Sequence, residues 1–240
     1  MAGKLIVIEG LDGSGKSTQI ELLKSKLNVK GIRHQYIHFP MLNKGIYGEL
    51  IAEFLRGEYG SVKEVAPKLV ALLFANDRKE HISRIIEWLN NDYFVLADRY
   101  VNSNIAFQCA KVEDQSEKEK LKQWIWEFEY DYNQLPLPFL SFFLDVPFDF
   151  ITQSLSGERK GDERNYLKGK QDIHEESFTL QKNVYDEYKQ LLREQSNFVR
   201  IDCSIAPLPL KGGIENKGIH NPEYINELIM CNLDLKRHLL

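Results

Sequence analysis

Apolar residues recur along this chain in two periods that take turns. Short, nearly continuous apolar runs read as buried strands at Lys4 to Glu9 (KLIVIE), Tyr93 to Ala97 (YFVLA), Phe139 to Leu144 and Phe198 to Ile201, and Arg33 to Phe39 (RHQYIHF) alternates enough for a further strand. Between them the spacing becomes helical. Ser17 to Leu27, Gly45 to Leu55, Val65 to about Asn90, Val101 to Ala110, Glu117 to Tyr130, Phe148 to Ser156, Asp172 to about Glu194 and about Pro222 to Leu235 are the predicted helices. The longest carries Leu69, Leu72, Leu73, Ile82, Ile85, Ile86 and Leu89, with Pro67 tolerated in its first turn. Gly31 reads as a helix stop, Pro40 ends the second strand, and Asp172 can cap the helix that follows it.

Strands alternating with helices predict an α/β fold: three layers, α/β/α, around a five-stranded parallel sheet. In such sheets ligands bind beyond the C-terminal ends of the strands. Two stretches lack any period. Gly157 to Gln171 (GERKGDERNYLKGKQ) is nearly all charged or Gly and reads as a mobile surface loop of a length that is usually functional or disordered. Ala206 to Gly218, with two Pro and three Gly, reads as a linker before the last helix. The expected organisation is one domain: a core over 1–205 that includes the loop 157–171, then 206–240 as linker and terminal helix.

Composition narrows the function more than the fold. A net charge of −4 supplies no field for nucleic acid or an anionic membrane, so neither is an expected partner. Three widely spaced cysteines, Cys109, Cys203 and Cys231, form no disulfide framework and no zinc pattern, which favours a reducing, cytoplasmic setting. His34 and His38 are four apart, but in a strand that spacing builds no helical ligand pair. No long apolar run opens the chain, so no signal peptide or membrane span is expected.

The chemistry starts at Gly10-Leu11-Asp12-Gly13-Ser14-Gly15-Lys16-Ser17, which fits G-x-x-x-x-G-K-[ST] and lies between a strand and a helix. Backbone N–H groups and the positive end of the helix dipole make such a turn an anion cradle. By itself the motif implies a bound nucleotide. Its binding set is Gly10, Leu11, Asp12, Gly13, Ser14, Gly15, Lys16, Ser17 and Thr18, with Lys16 on the β- and γ-phosphates and the Ser17 hydroxyl on Mg²⁺. Asp98 ends an apolar strand, as a Mg²⁺-associated carboxylate does, acting here through water. Arg99 follows it, a guanidinium suited to a second phosphate. A capping Asp beside a surface Arg is the plainer reading of that pair.

Together these motifs resemble the thymidylate kinases, P-loop nucleoside monophosphate kinases. The resemblance runs from Lys4 to about Asp202 on Glu9 to Thr18, Phe39-Pro40, Leu73-Phe74-Ala75-Asn76-Asp77-Arg78, Asp98 to Gln108, Leu144-Asp145-Val146-Pro147 and Asp172-Ile173-His174-Glu175. Asp98-Arg99-Tyr100 separates it from deoxynucleoside kinases, which carry Glu-Arg-Ser there. The resemblance implies transfer of a phosphoryl group from ATP to dTMP, giving dTDP for dTTP synthesis, with Mg²⁺ as cofactor and a homodimer in which the Val65 to Asn90 helix contributes.

It also implies a dTMP site. Asp12 would hold the 3′-hydroxyl. Phe39-Pro40 would line the site. Phe74 would stack on thymine, Arg78 would donate to the carbonyl at position 4, and Asn104 and Gln108 would approach the base edge. Phe107 would crowd C2′ and Arg99 would clamp the phosphate. Members of the family supply a transition-state cation either within the phosphate loop or from a mobile lid. Gly13 carries no charge, which implies the lid style, with Arg159 and Arg164 as catalytic residues and Lys160 as a further candidate. Met41 and Leu42 depart from the family's basic residue after Phe-Pro. A guanine-reading switch is disfavoured, because the Asn-Lys-Gly-Ile runs at Asn43 and Asn216 lack the needed Asp. A nucleotide-binding adaptor without catalysis is disfavoured by the intact Lys16, Ser17, Asp98 and Arg99.

Overall fold

The three central strands are buried along almost their whole length, and this is why their sequences read as continuous apolar runs. They are β1 (Lys4–Glu9), β3 (Phe94–Asp98) and β4 (Leu140–Asp145). The edges are β2 (His34–His38) and β5 (Phe198–Asp202), which leave polar side chains half-exposed. All five strands are parallel, in the order β2-β3-β1-β4-β5. The computed structural model describes residues 3–42, 44–151, 178–205 and 218–237.

The register lines up the strand ends. Ile8 and His38 both pair with Asp98, Glu9 pairs with Phe143, and Asp145 pairs with Asp202. Glu9, His38, Asp98, Asp145 and Asp202 therefore close the five strands on one edge of the sheet. An apolar sheet ending in a row of titratable groups marks where polar chemistry is placed.

Among the described residues the helices are α1 (Lys16–Val29), α2 (Gly45–Leu55), α3 (Pro67–Asn90), α4 (Val101–Cys109), α5 (Gln115–Trp126), α6 (Phe178–Glu194) and α7 (Pro222–Arg237), and residues 148–151 are helical as well, the rest of the helix expected there lying outside the described residues. Pro67 occupies the first turn of α3, where its missing N–H costs nothing. α5 begins two residues before the expected Glu117, because the Asp114 carboxylate accepts the Glu117 N–H at 2.9 Å and caps it.

The end of α5 corrects the sequence reading. The expected regular helix to Tyr130 stops at Trp126, and Glu127–Tyr132 is a π-helical turn. The Asn133 N–H donates to the Phe128 carbonyl at 2.9 Å, a step of five residues. Widening the helix here turns Glu129 fully inward. Apolar periodicity carries no signal for such a turn.

The core lies on both faces of β1. Leu5, Ile6, Val7 and Ile8 are buried with Ile20, Leu23 and Leu27 of α1 and Phe142 and Phe143 of β4. α7 adds Ile225, Ile229 and Leu233 to the same core. It is also tied to α1: Asn226 Nδ2 donates to the Gln19 backbone carbonyl at 2.9 Å, and Gln19 Nε2 donates to the Pro222 carbonyl at 3.0 Å. Gly157 to Gln171, the Asp172 cap, the Asp172-Ile173-His174-Glu175 stretch and all of Ala206 to Gly218 except Gly218 itself lie outside the described residues.

Candidate active site

The loop after β1 is shaped by its glycines. A Cβ on Gly10 would lie 2.5 Å from Ser14 Oγ, so a side chain there would displace the loop. Gly15 takes φ 85° as it enters α1, while a Cβ there would meet nothing within 4 Å. The requirement at Gly15 is backbone conformation, and the space before it is open to a ligand. Lys16 follows in the first turn of α1 and is 8% exposed. Its Nζ donates to the Leu11 carbonyl at 2.9 Å and the Gly10 carbonyl at 3.3 Å, so the ammonium lies folded over the loop. Burial, then the neighbouring Arg99 charge, lower its pKa to about 8. Ser17 and Thr18 are exposed beside it.

Asp98 faces this loop from the end of β3. Burial works against its charge. The hydrogen bond from His38 and the Lys16 ammonium outweigh burial and hold the carboxyl below its ordinary value. His38 Nδ1 sits 3.4 Å from Oδ2, and Oδ1 is buried with no partner. Among the described residues no group of three or more His, Cys, Asp or Glu could hold a metal by itself. One ionised carboxylate with an unused oxygen and a nearby serine hydroxyl suit Mg²⁺, which takes few protein ligands and completes its shell with phosphate and water.

Arg99 carries the second cation. It has φ 63°, a left-handed conformation rare outside glycine, pinned by its N–H donating to the Ile8 carbonyl at 3.0 Å. Its Nη2 donates to Asp12 Oδ1 at 2.6 Å and its Nη1 to Ser103 Oγ at 3.2 Å. The guanidinium carbon lies 5.1 Å from the centre of the buried Phe107 ring. Burial opposes the charge, but Asp12 and further carboxylates hold its pKa well above the usual arginine range.

Close to Arg99 lies Glu9, the last residue of β1. It is fully buried, and its Oε1 accepts the N–H groups of Tyr100 at 3.0 Å and Ser103 at 3.3 Å. Its Oε2 accepts Ser103 Oγ at 2.5 Å and Tyr188 Oη at 3.0 Å. No side chain of the chain's own next residues caps α4, so a carboxylate from β1 does so. Burial raises the Glu9 pKa despite these donors and the nearby Arg99.

The remaining sequence-predicted residues form a second group. Phe39 is buried and precedes a cis bond to Pro40. The Met41 N–H then donates to Asp77 Oδ2 at 3.1 Å. Burial pushes Asp77 up to about 6, with Met41 and Arg78 acting against the shift. Phe74 and Arg78 are one turn apart on α3. Phe74 is half-buried against the cluster of Ile51, Phe54, Leu55 and Val70. Arg78 is buried and bound by Glu129, Nε to Oε2 at 2.5 Å and Nη2 to Oε1 at 2.6 Å. Burial works against its charge, but Glu129 holds its pKa above the ordinary value. Asn104 Nδ2 donates to Glu129 Oε1 at 2.8 Å and to the Ala71 carbonyl at 3.0 Å. Gln108, one turn on, is buried and accepts Lys111 Nζ at 2.8 Å.

Asp12, Lys16, Asp98 and Arg99 therefore meet at the strand ends, and Arg78 and Asn104 meet at Glu129. Arg159, Lys160 and Arg164 lie outside the described residues. Glu9 and Asp77 stand in the quoted motifs without a role, His38 is weighed there as a metal ligand and set aside, and Glu129 is not singled out by the sequence. The one signal was a charged residue closing an apolar strand, which Glu9 shares with Asp98.

A protein-family model described as thymidylate kinase matches residues 8–207. Thymidylate kinase from Plasmodium falciparum is 30% identical over 205 residues, 84% of this chain and 83% of that protein. Thymidylate kinase from Brachyspira hyodysenteriae is 40% identical over 116 residues, 48% of this chain and 54% of that protein, so this match spans about half its length. The solved structure of thymidylate kinase from Candida albicans superposes with a TM-score of 0.70 at 25% identity, covering 98% of this chain and 93% of that one.

Proposed function

The chain belongs to the thymidylate kinase family, and from that premise we propose that it transfers the γ-phosphoryl group of ATP to dTMP, giving dTDP and ADP for dTTP synthesis. The observation that carries this reading is the meeting of two phosphate-suited cations. Lys16 lies over the loop after β1, and Arg99 reaches that loop at Asp12 over 2.6 Å. Two anionic groups held side by side are what phosphoryl transfer between phosphates requires.

In the proposed reaction an oxygen of the dTMP phosphate attacks the γ-phosphorus in line. The new O–P bond forms as the bond to the ADP oxygen breaks, and the electron pair leaves with ADP. No general base is needed, because a phosphate oxygen is already an adequate nucleophile near neutral pH. Lys16 neutralises charge on the β- and γ-phosphates, and the N–H groups from Gly10 to Thr18 hold the donor. Arg99 holds the acceptor phosphate, and Asp12, freed from Arg99, takes the 3′-hydroxyl. The Ser17 hydroxyl directly, and Asp98 through water, would hold Mg²⁺, which supplies charge neutralisation at the donor phosphates when bound.

Phe74, Arg78, Asn104 and Gln108 are assigned to the base, with Phe39-Pro40 lining the site. Phe107, packed under Arg99, is assigned to exclusion of a 2′-hydroxyl. Arg159, with Arg164 as a helper, is assigned by the family resemblance to the far side of the transferred group. A homodimer and a cytoplasmic setting complete the proposal; no helix among the described residues is long and apolar enough to cross a membrane.

The test is ADP release with Mg²⁺ and ATP across four conditions: dTMP, dUMP, thymidine and no acceptor. Release that requires a monophosphate supports the reading. Equal release with thymidine or with no acceptor overturns it.

A further inference from the structure

Glu129 has no part in the transfer described above, yet two of the base-assigned side chains converge on it. Its two oxygens take Nε and Nη2 of Arg78 at 2.5 and 2.6 Å, so Nη1 is the arm of the fork that Glu129 does not hold. The same Oε1 also takes Asn104 Nδ2 at 2.8 Å. Both groups that receive the Asn104 amide nitrogen, Glu129 Oε1 and the Ala71 carbonyl, can only accept. That settles which way the amide points: nitrogen toward Glu129, oxygen away. Asn104 Oδ1 is then left buried without a partner. A buried acceptor in that condition is costly unless a ligand donates to it.

We propose that Glu129 is a positioning residue that sets the hydrogen-bond polarity of the base site. By holding Arg78 Nε and Nη2 and the Asn104 amide nitrogen, it leaves the N–H groups of Arg78 that it does not take, those on Nη1 among them, as donors, and Asn104 Oδ1 as the acceptor. A donor and an acceptor anchored on one carboxylate suit a ring carbonyl next to a ring N–H, the imide edge of thymine or uracil. Cytosine presents an amino group beside an unprotonated ring nitrogen, the reverse pattern. The inference rests on the assignment of Arg78 and Asn104 to the base.

The charge matters to this role as well as the shape. A carboxylate accepts at both oxygens, so it dictates the amide orientation. A glutamine at the same place offers one donor end and one acceptor end, so the Ala71 carbonyl is left as the one acceptor-only group holding the Asn104 nitrogen. The π-helical turn is what delivers the carboxylate, since it turns Glu129 inward from a segment whose neighbours Glu127 and Asp131 are exposed.

The experiment is steady-state kinetics of the full chain with dTMP and dCMP as acceptors, comparing wild type, Glu129→Gln and Glu129→Asp. For Glu129→Gln the expected result is a dTMP KM raised about tenfold or more, an ATP KM within about twofold, and a dTMP-over-dCMP preference reduced about tenfold or more. Glu129→Asp keeps an acceptor-only group, so its preference should stay within about threefold of wild type even where KM rises. A residue that only holds the fold would move KM in both variants and the preference in neither, and that result overturns the proposal.

Removing the carboxylate strands a buried guanidinium, so Glu129→Gln could fail to fold. In that event Arg78→Met/Glu129→Gln is compared with Arg78→Met alone. A preference lower in the double variant supports orientation of Asn104 by Glu129, and equal preferences overturn it. A wild-type chain that transfers nothing to dTMP would overturn the function itself. That failure is visible before any variant is made.

Discussion

Arg99 Nη2 donates to Asp12 Oδ1 at 2.6 Å, linking the residue after β3 to the middle of the loop after β1. Asp12 is 26% exposed at its side chain, so water and an incoming ligand reach one end of this ion pair. A phosphate dianion competes with it easily. The Arg99 tie to Ser103, itself anchored on Glu9, keeps the guanidinium in place when Asp12 lets go.

Arg99→Ala should therefore raise the dTMP KM and lower kcat, and leave the ATP KM nearly unchanged. Initial rates with each substrate varied in turn check this. Equal weakening of both substrates would move Arg99 from the acceptor to the donor.

Lys16 makes a pH prediction. Its pKa of about 8 belongs to the chain without nucleotide, where burial and Arg99 disfavour the ammonium. Bound phosphates favour the ammonium and raise that value. The kcat/KM for ATP reports the free protein, so it should fall as pH rises above about 8, while kcat at saturation stays level to higher pH. Parallel decline of the two would assign the titration to another group.

Glu9 is expected to matter to stability more than its place in an apolar strand suggests. Glu9→Ala leaves the Tyr100 and Ser103 N–H groups and the Ser103 and Tyr188 hydroxyls without their common acceptor. The expected loss is about 2–4 kcal/mol, read by urea unfolding, with Glu9→Gln losing less. A loss under about 0.5 kcal/mol would mean that water replaces the carboxylate.

The five-strand sheet was legible because β1, β3 and β4 are buried on both faces, β5 is a short apolar run, and the β2 sequence alternates enough to mark an edge strand. Lys16, Asp98 and Arg99 were legible because a glycine loop and a strand-ending Asp-Arg are local patterns. Glu129 was not. Its role depends on a π-helical turn and on two partners 51 and 25 residues away, Arg78 and Asn104. Asp77 was hidden for a similar reason. It sits inside a helical run, and its partner is a backbone N–H 36 residues upstream.

Asp77 has a pKa of about 6 in the folded chain, above its ordinary 3.8. The folded state thus binds the proton more tightly than the unfolded state. Stability from this group is present below the ordinary value, is lost as pH rises toward about 6, and does not return above it. Asp77→Asn removes the titration. Relative to wild type it should gain roughly 1–3 kcal/mol between pH 4 and pH 7, read from denaturant midpoints at both pH values. A difference independent of pH would show that Asp77 is not held in that environment.

The most direct test of the account is to follow the label. The full chain is incubated with Mg²⁺, dTMP and ATP labelled at its γ-phosphate, and the nucleotides are separated. The account predicts that label leaves ATP and appears in dTDP, one dTDP for each ADP, with almost no ADP formed when dTMP is omitted. Label released as inorganic phosphate at the same rate with and without dTMP would contradict transfer between two bound phosphates, and with it the pairing of Lys16 and Arg99 as donor and acceptor cations.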